Sequence, residues 1–333
     1  MRAISCVEPG RVELIDIARP RAPAGWATVS IANVGICGTD YHIFEGTHPF
    51  LAYPRIIGHE LSGTILDPGD GALPTGTPVV INPYLSCGHC PACKAGTPNC
   101  CENIQVLGVH RDGGMTEEIA VPAGNLYPAF GITLVDAAMV EFLSIGVHAV
   151  RRSRLSSGAR VLVIGAGPIG LGVAIFARIA EAEVSVLDSE ASKVSFAASL
   201  GLKSYGLADI DSAVFTAARA SGFDAVFDAT GSLRSMSAAL AHVRNGGSLT
   251  LVGVTTGDLV WPDPEVHRRE LSLYASRNAL RADFEHVMES MRMGEVPTAA
   301  LATHSTTLDQ VTADFPAWSR ARTGVVKAIV SIA

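Results

Sequence analysis

The chain has 333 residues, seven cysteines and a formal net charge of −7. This length allows about two domains of roughly 150 residues each, so a core can form without disulfides. The 25 Lys and Arg residues form no basic block. We therefore expect a small-molecule substrate and no nucleic-acid partner.

The N-terminal segment lacks a basic region followed by an apolar run, and no stretch reaches the roughly 20 apolar residues of a membrane-spanning helix. We therefore expect a cytoplasmic protein without membrane contact. Short alternating stretches at residues 27–31 and 78–81 lie between Gly- and Pro-rich turns, a pattern typical of strands. They predict a partly open β domain for the first part of the chain.

Two short segments of this β domain carry groups that bind metals. Cys37 supplies a thiol in the first segment, and His59 and Glu60 supply an imidazole and a carboxylate some twenty residues later. These are the ligand types of a catalytic zinc site. A lone cysteine or histidine is usually structural, so the prediction depends on their occurrence together with the motifs that follow.

A cluster of cysteines follows between residues 87 and 101. Cys87, Cys90, Cys93 and Cys101 have the spacing C-x2-C-x2-C-x7-C, which suits one tetrahedral zinc with four thiolate ligands. Four protein ligands leave no open position, so this zinc would be structural. Cys100 could replace Cys101, and His89 could also ligate.

Beyond about residue 146 strands and helices alternate, which predicts a doubly wound parallel sheet covered on both faces. The expected strands are residues 160–165, 184–188, 225–228, 248–253 and 271–274. The expected helices are residues 168–180 and 284–293. The fold class is therefore α/β. One expected domain comprises residues 1–146 and 287–333 and includes a strand at 324–330. The other comprises residues 147–286, and the two are expected to abut along a cleft.

The motif Gly165-Ala-Gly167-Pro168-Ile169-Gly170 follows the first of these strands and opens a helix. In this context the first glycine makes the tight turn, the second admits the pyrophosphate and the third allows close helix packing. The pyrophosphate would lie at the helix N-terminus, where free N–H groups favour anions. The segment is therefore a candidate dinucleotide site.

Asp188 ends the next strand, where a carboxylate binds the ribose hydroxyls and repels a 2′-phosphate. NAD is thus favoured over NADP, although Lys193 keeps NADP open. Gly231 follows the strand at 225–228 and would let the nicotinamide ribose approach. Arg277 follows the last strand and would grip a substrate carboxylate or contact the cofactor.

Over essentially its whole length the chain resembles the zinc-containing medium-chain dehydrogenase/reductase family, which includes alcohol, sorbitol and sugar-acid dehydrogenases. The resemblance implies a GroES-like catalytic domain beside a Rossmann domain, with two zinc ions per chain. In the family pattern Cys37 and His59 bind the catalytic zinc, and Glu60 is a third ligand or its alternate. Thr39 would hydrogen-bond the substrate oxygen, and His42 would pass the proton outward.

The resemblance also suggests a branch of the family. Glu141 stands near the place where alcohol dehydrogenases carry a second cysteine ligand, as in the polyol branch, but Phe142 replaces the proline usual there. Glu141 would bind zinc or hold its water. Asp40 would orient the ligating histidine, and His110 and Arg111 are weaker candidates for a pocket wall.

The motifs look most like those of dehydrogenases acting on hexonates such as L-galactonate. The expected reaction is hydride transfer from a secondary alcohol of a polyol or sugar acid to NAD. The family forms homodimers and homotetramers, which we expect here through a sheet edge near residues 271–273. The alternatives are a noncatalytic zinc and dinucleotide sensor and a zinc-free quinone or enoyl reductase.

Overall fold

The computed structural model of the protein describes residues 1–48, 51–321 and 324–332. The chain divides into two compact units, Met1–Glu141 with Leu280–Ala333, and Phe142–Ala279. The expected boundaries, at 146 and 286, lie a few residues further along the chain. The helix Val140–Ser153 begins in the first unit and continues in the second, so no loop marks that boundary.

The first unit is built on antiparallel sheets. A seven-stranded sheet has the order β10-β6-β5-β3-β18-β17, with β9 also paired to β3, and smaller sheets are β2-β1-β4 and β7-β8. The strands are β1 (Arg2–Glu8), β2 (Arg11–Asp16), β3 (Trp26–Ile36), β4 (Arg55–Ile56), β5 (Glu60–Asp67), β6 (Pro78–Ile81), β7 (Tyr84–Leu85), β8 (Gln105–Val106), β9 (Glu118–Pro122), β10 (Leu126–Pro128), β17 (Ala302–Thr307) and β18 (Lys327–Ser331).

The long strand β3 organises this unit. It pairs with β5 and β9 and, along its C-terminal half, with β18. Its residues alternate between half-buried and buried positions up to Ala32, and residues 33–36 are all buried. Val29, Ile31 and Val34 lie in a continuous apolar core. Full burial of such a side chain stabilises the fold by about 1.5–3 kcal/mol, so the register of β3 is strongly defined.

The helices of the first unit are short, apart from two near the C-terminus. They are α1 (Gly38–Phe44), α2 (Pro91–Lys94), α3 (Leu134–Ala137), the start of α4 (Val140–Ser153), α10 (Arg281–Arg292), α11 (Thr298–Leu301) and α12 (Val311–Ala321). Helix α10 begins three residues before the predicted start at Phe284. The reason is a cap, because the Asp283 carboxylate accepts a hydrogen bond from the Leu280 N–H at 2.7 Å.

The second unit is a six-stranded parallel sheet of order β13-β12-β11-β14-β15-β16. Its strands are β11 (Arg160–Ile164), β12 (Glu183–Asp188), β13 (Lys203–Gly206), β14 (Phe223–Asp228), β15 (Val243–Leu251) and β16 (Ser272–Ala275). Counted within the unit this is the strand order 3-2-1-4-5-6 of a Rossmann fold. The predicted doubly wound sheet is confirmed, with β13 as a strand that the sequence pattern missed.

Helices connect these parallel strands. They are α5 (Pro168–Ile179), α6 (Ala191–Ser199), α7 (Ala213–Arg219), α8 (Leu233–Ala239) and α9 (Asp263–Arg268), together with most of α4. Leu162, Val226 and Leu249 of the sheet are fully buried and lie in one apolar cluster. Within the part of the chain that the structure describes, no helix is both long and apolar enough to cross a bilayer.

A close approach of two helices in the second unit can be tested by a single methyl group. A Cβ added at Gly146 of α4 would lie 2.5 Å from the backbone carbon of Gly172 in α5. We expect Gly146→Ala to destabilise the unit by about 1–3 kcal/mol, because backbone atoms must shift. Thermal unfolding measures the effect. Gly124→Ala is the control, since nothing lies within 4 Å of its Cβ, and equal unfolding temperatures for both variants would contradict the close contact.

Candidate active site

The pairing of β3 with β5 brings together three of the predicted metal ligands. Cys37 follows the last residue of β3, and Gly35 lies opposite Glu60 in the strand register. The ligand atoms of Cys37, His59 and Glu60 all lie within 4.8 Å of one another. His59 and Glu60 are buried, while Cys37 is partly exposed. A buried imidazole and carboxylate beside an accessible thiol form a donor set that fits a metal ion with an open position.

Asp40 lies beneath this cluster and is fully buried. Its carboxylate accepts hydrogen bonds from the Cys37 N–H at 2.9 Å and from the Gly58 N–H at 3.2 Å. The nearer oxygen lies 3.9 Å from Nδ1 of His59, which is too long for a hydrogen bond. Asp40 therefore fixes the two backbone segments that carry the thiol and the imidazole.

The environment of His59 favours a positive charge. Burial lowers the pKa of His59, but the Cys37 thiol and the Asp40 carboxylate outweigh burial and raise this pKa well above its usual range. Among the described residues, Nδ1 of His59 has no hydrogen-bond partner. The negative groups that raise this pKa would equally favour a metal cation bound to the neutral imidazole.

Glu141 joins the site from the start of α4 and is buried. The Tyr84 hydroxyl donates a short hydrogen bond to its Oε1, while Oε2 has no partner in the described part of the chain. Burial raises the pKa of Glu141 to about 7. An orphaned carboxylate oxygen beside a thiol and an imidazole is a further sign that the site fits a cation.

Sequence reasoning missed two residues of this site, Tyr84 and Lys327. The Lys327 ammonium donates to both oxygens of Glu60, at 2.6 and 2.7 Å, and to the Ile36 carbonyl at 3.0 Å. Both side chains of the ion pair are almost completely buried. The available signal was a lysine at the start of an otherwise apolar strand, β18, since lysine is rarely buried without a partner.

The predicted proton path is only partly assembled. The Thr39 hydroxyl lies 3.8 Å from the Cys37 sulfur. His42 is exposed, and its Nδ1 lies 3.3 Å from the Thr47 hydroxyl and 3.8 Å from Glu45. Thr39 is therefore beside the candidate metal ligand Cys37, and His42 is in contact with solvent.

The four predicted cysteines of the lobe also come together. The sulfur atoms of Cys87, Cys90, Cys93 and Cys101 lie within 4.8 Å of one another. Backbone N–H groups of residues 89 and 90 lower the pKa of Cys87 to about 6, and burial raises the pKa of Cys93 to about 12. Thiols this close cannot all ionise without a cation, so the cluster fits a metal with four sulfur ligands.

The two alternative ligands of the lobe lie outside this cluster. Cys100 is exposed, and the ligand set uses the neighbouring Cys101. His89 Nδ1 lies 2.8 Å from the Cys87 carbonyl. The geometry thus favours four cysteines as the ligands.

The glycine loop between β11 and α5 has the conformation that its sequence predicts. Gly165 has φ +97°, and a Cβ at Gly170 would lie 1.8 Å from the Gly165 oxygen. Gly167 has open space on its Cβ side and lies immediately before Pro168 and Ile169, the first residues of α5. An open cradle at a helix N-terminus fits a pyrophosphate.

Asp188 lies at the end of β12 beside this loop. Its carboxylate accepts hydrogen bonds from the Ala166 N–H at 2.7 Å and from the Glu190 N–H at 2.8 Å. Lys193 is paired with Glu190 at 2.7 Å. Asp188 is therefore oriented by backbone N–H groups. Lys193, the positive charge that could have bound the 2′-phosphate of NADP, is paired with Glu190.

Gly231 follows β14 with φ +67°, and its Cβ would lie 2.9 Å from the Val254 carbonyl oxygen. This position therefore requires glycine. Arg277 follows β16 and is exposed. His110 Nδ1 accepts a hydrogen bond from the Val106 N–H at 3.1 Å.

The expectation for Arg111 needs correction. Its guanidinium lies over the Trp26 ring, 5.2 Å from the centroid, and lines a separate cavity of about 330 Å³. None of Cys37, His59 and Glu60 lines this cavity. Arg111 therefore belongs to another surface, because its side chain stacks on an aromatic ring of β3.

Comparison with known proteins agrees with this architecture. The "Alcohol dehydrogenase GroES-like domain" family matches residues 23–131, and the "Zinc-binding dehydrogenase" family matches residues 168–292. L-galactonate-5-dehydrogenase of Escherichia coli K12 is 39% identical over 309 residues, which are 91% of each chain.

Two solved structures are similar over nearly their full lengths. An Escherichia coli CFT073 alcohol dehydrogenase, RspB, complexed with NADH, has a TM-score of 0.93 at 27% identity, covering 100% of this chain and 99% of that one. A proposed zinc-binding dehydrogenase of Sinorhizobium meliloti 1021, bound to NADP, has a TM-score of 0.90 at 26% identity, covering 99% of each chain.

A GroES-like unit with a thiol, imidazole and carboxylate cluster, followed by a Rossmann unit, defines the zinc-type two-domain dehydrogenases. The chain belongs to the zinc-containing medium-chain dehydrogenase/reductase family. It is an oxidoreductase that acts on CH–OH groups.

Proposed function

We propose that this chain oxidises a secondary alcohol of a polyol or sugar acid, with NAD as hydride acceptor and with one catalytic and one structural zinc. The observation that carries the proposal is the cluster of Cys37, His59 and Glu60, whose ligand atoms lie within 4.8 Å of one another. The substrate class is supported by the similarity to L-galactonate-5-dehydrogenase. A hexonate such as L-galactonate is the first candidate.

Cys37 and His59 would hold the catalytic zinc, with Glu60 or Glu141 as the carboxylate ligand. When bound, zinc supplies a Lewis acid that lowers the pKa of an alcohol oxygen. Thr39 would accept a hydrogen bond from the substrate hydroxyl and thereby orient it. The proton would leave through His42, which is exposed and can release it to water.

The dinucleotide would bind at the glycine loop of the second unit. Gly167 leaves room for the pyrophosphate, and the start of α5 provides N–H groups for its oxygens. Asp188 would accept hydrogen bonds from the ribose hydroxyls, Gly231 would admit the nicotinamide ribose, and Arg277 would contact substrate or cofactor. When bound, NAD supplies the hydride acceptor.

Cys87, Cys90, Cys93 and Cys101 would hold the structural zinc. A site of four thiolates persists in a reducing compartment, so we also propose a cytoplasmic location.

The zinc assignment predicts about two zinc ions per chain, one in a closed and one in an open site. Cys37→Ser should lower the content to about one and reduce NADH formation by at least about 100-fold, because a metal ligand is lost. NADH binding, measured by fluorescence, should be unchanged, and Cys100→Ser should behave as wild type. Plasma emission spectrometry and assays with hexonates, hexitols and simple secondary alcohols provide the readouts. Two zinc ions in Cys37→Ser, or loss of NADH binding, would contradict the assignment.

The role of Asp188 predicts a change in cofactor preference. Asp188→Asn removes the charge that repels a 2′-phosphate, so the ratio of kcat/KM for NAD over NADP should fall by roughly tenfold. Steady-state kinetics with both cofactors measure this ratio. Glu183→Gln is the control, since that carboxylate is exposed at the opposite end of β12. An unchanged ratio in Asp188→Asn would remove Asp188 from the cofactor proposal.

We also propose that the chain forms a homodimer or homotetramer through β16. This strand is an edge of the parallel sheet, and Leu273 on it is 43% exposed, as expected for an edge that pairs with a second copy. Leu273→Lys should shift the population toward monomers in sedimentation velocity. Leu66→Lys is matched, because Leu66 is also 43% exposed. Equal sedimentation of both variants would place the interface elsewhere.

A further inference from the structure

Lys327 reaches the candidate metal site across a strand. In the first unit β5, β3 and β18 are neighbours in that order, and Gly35 of β3 lies opposite Glu60 of β5. A Cβ at Gly35 would lie 2.2 Å from Oε2 of Glu60, so the Glu60 carboxylate extends over the glycine. It meets Lys327 from β18 on the far side. The absence of a side chain at Gly35 makes this ion pair possible.

All three N–H groups of the Lys327 ammonium have acceptors within 3.0 Å, two on Glu60 and one on Ile36. The ammonium is about 1% exposed and the carboxylate is fully buried. Separating a buried pair leaves an uncompensated charge and is strongly unfavourable. Glu60 is therefore restrained in both position and charge.

The charges around the donor set show why a cation is needed there. Three buried carboxyl groups, those of Asp40, Glu60 and Glu141, surround the partly exposed Cys37 thiol, so up to four negative charges can meet there. A divalent metal would offset two of them, and the two N–H groups that contact Asp40 stabilise a third. Lys327 supplies the compensation for the fourth, Glu60.

The two glutamates differ in what metal binding would cost. Glu60 lies nearer to Cys37 and His59, but its lone pairs face an ammonium that would have to be displaced or shared. Glu141 accepts one hydrogen bond, from the neutral Tyr84 hydroxyl, and its Oε2 has no partner among residues described here. Glu141 can therefore bind a metal without breaking an ion pair, and this difference outweighs the shorter distance of Glu60.

We propose that Lys327 is a positioning residue of the metal centre, which neutralises Glu60 and holds it off the metal so that Glu141 is the carboxylate ligand. The inference rests on the proposed catalytic zinc. It assigns to β18 a role in keeping one coordination position open for substrate. Without Lys327, the Glu60 carboxylate would be free to enter that position.

Cobalt substitution tests this directly, because the visible bands of Co²⁺ report the number and type of its ligands. Full-length protein would be loaded with Co²⁺, and Cys37→Ser would serve as the blank for cobalt in the cysteine lobe. Lys327→Met should change the cobalt bands, because Glu60 can then become a ligand. The freed charge of Glu60 should make the protein hold cobalt at least roughly tenfold more tightly against a chelator. The variant should also have a lower kcat with little change in the KM for NAD. Lys327→Arg, which keeps the charge, should retain the wild-type bands.

The double variant Glu60→Gln/Lys327→Met separates positioning from a merely structural role. It carries no unpaired buried charge, so it should fold even if Lys327→Met does not. We expect wild-type cobalt bands and cobalt affinity within about threefold of wild type, because Glu60 is not a ligand. Altered bands in the double variant, or unaltered bands and affinity in a folded Lys327→Met, would overturn the inference alone. If the wild-type chain bound no more cobalt than Cys37→Ser, no metal would depend on Cys37. That result would overturn the proposed function and this inference together.

Discussion

The antiparallel register of β3 against β5 is the constraint on which the candidate active site depends. Cys37 immediately follows β3, His59 immediately precedes β5, and Glu60 is the first residue of β5. The pairing of Gly35 with Glu60 therefore places thiol, imidazole and carboxylate together. A shift of one residue would turn alternate side chains to the other face. The apolar side chains of β3 prevent such a shift, because they would leave the core. The packing of the β3 side chains therefore also determines the positions of the candidate metal ligands.

Much of this could be predicted from the sequence, because the signals are local. The glycine motif with its following helix, and the acid at the end of the next strand, lie within one βαβ unit, where short-range spacing determines geometry. The cysteine lobe is also local, since its four sulfur atoms come from fifteen consecutive residues. The resemblance to a family then supplied the catalytic donor set, which spacing alone left weak.

The remaining parts could not be predicted, because they depend on which strands become neighbours. Lys327 and Glu60 are separated by 267 positions, and Tyr84 and Glu141 by 57. Nothing in the alternation of β18 indicates that it lies beside β3, and β13 escaped detection because its residues are largely half-buried or exposed. Arg111 illustrates the opposite error, since its place in the sequence suggested a pocket wall and the Trp26 ring directs it elsewhere.

The two buried carboxylates of the site show how partners, rather than residue type, decide what a group can do. Glu60 and Glu141 are chemically alike and both nearly inaccessible to water. The Lys327 ammonium contacts the Glu60 carboxylate, whereas the Tyr84 hydroxyl bonds only one of the two oxygens of Glu141. Because a buried charge must be compensated by something, the carboxylate with the weaker internal partner is the one that benefits most from a metal ion. The same reasoning applies to the cysteine lobe, where four closely spaced sulfur atoms can share the charge of one metal ion.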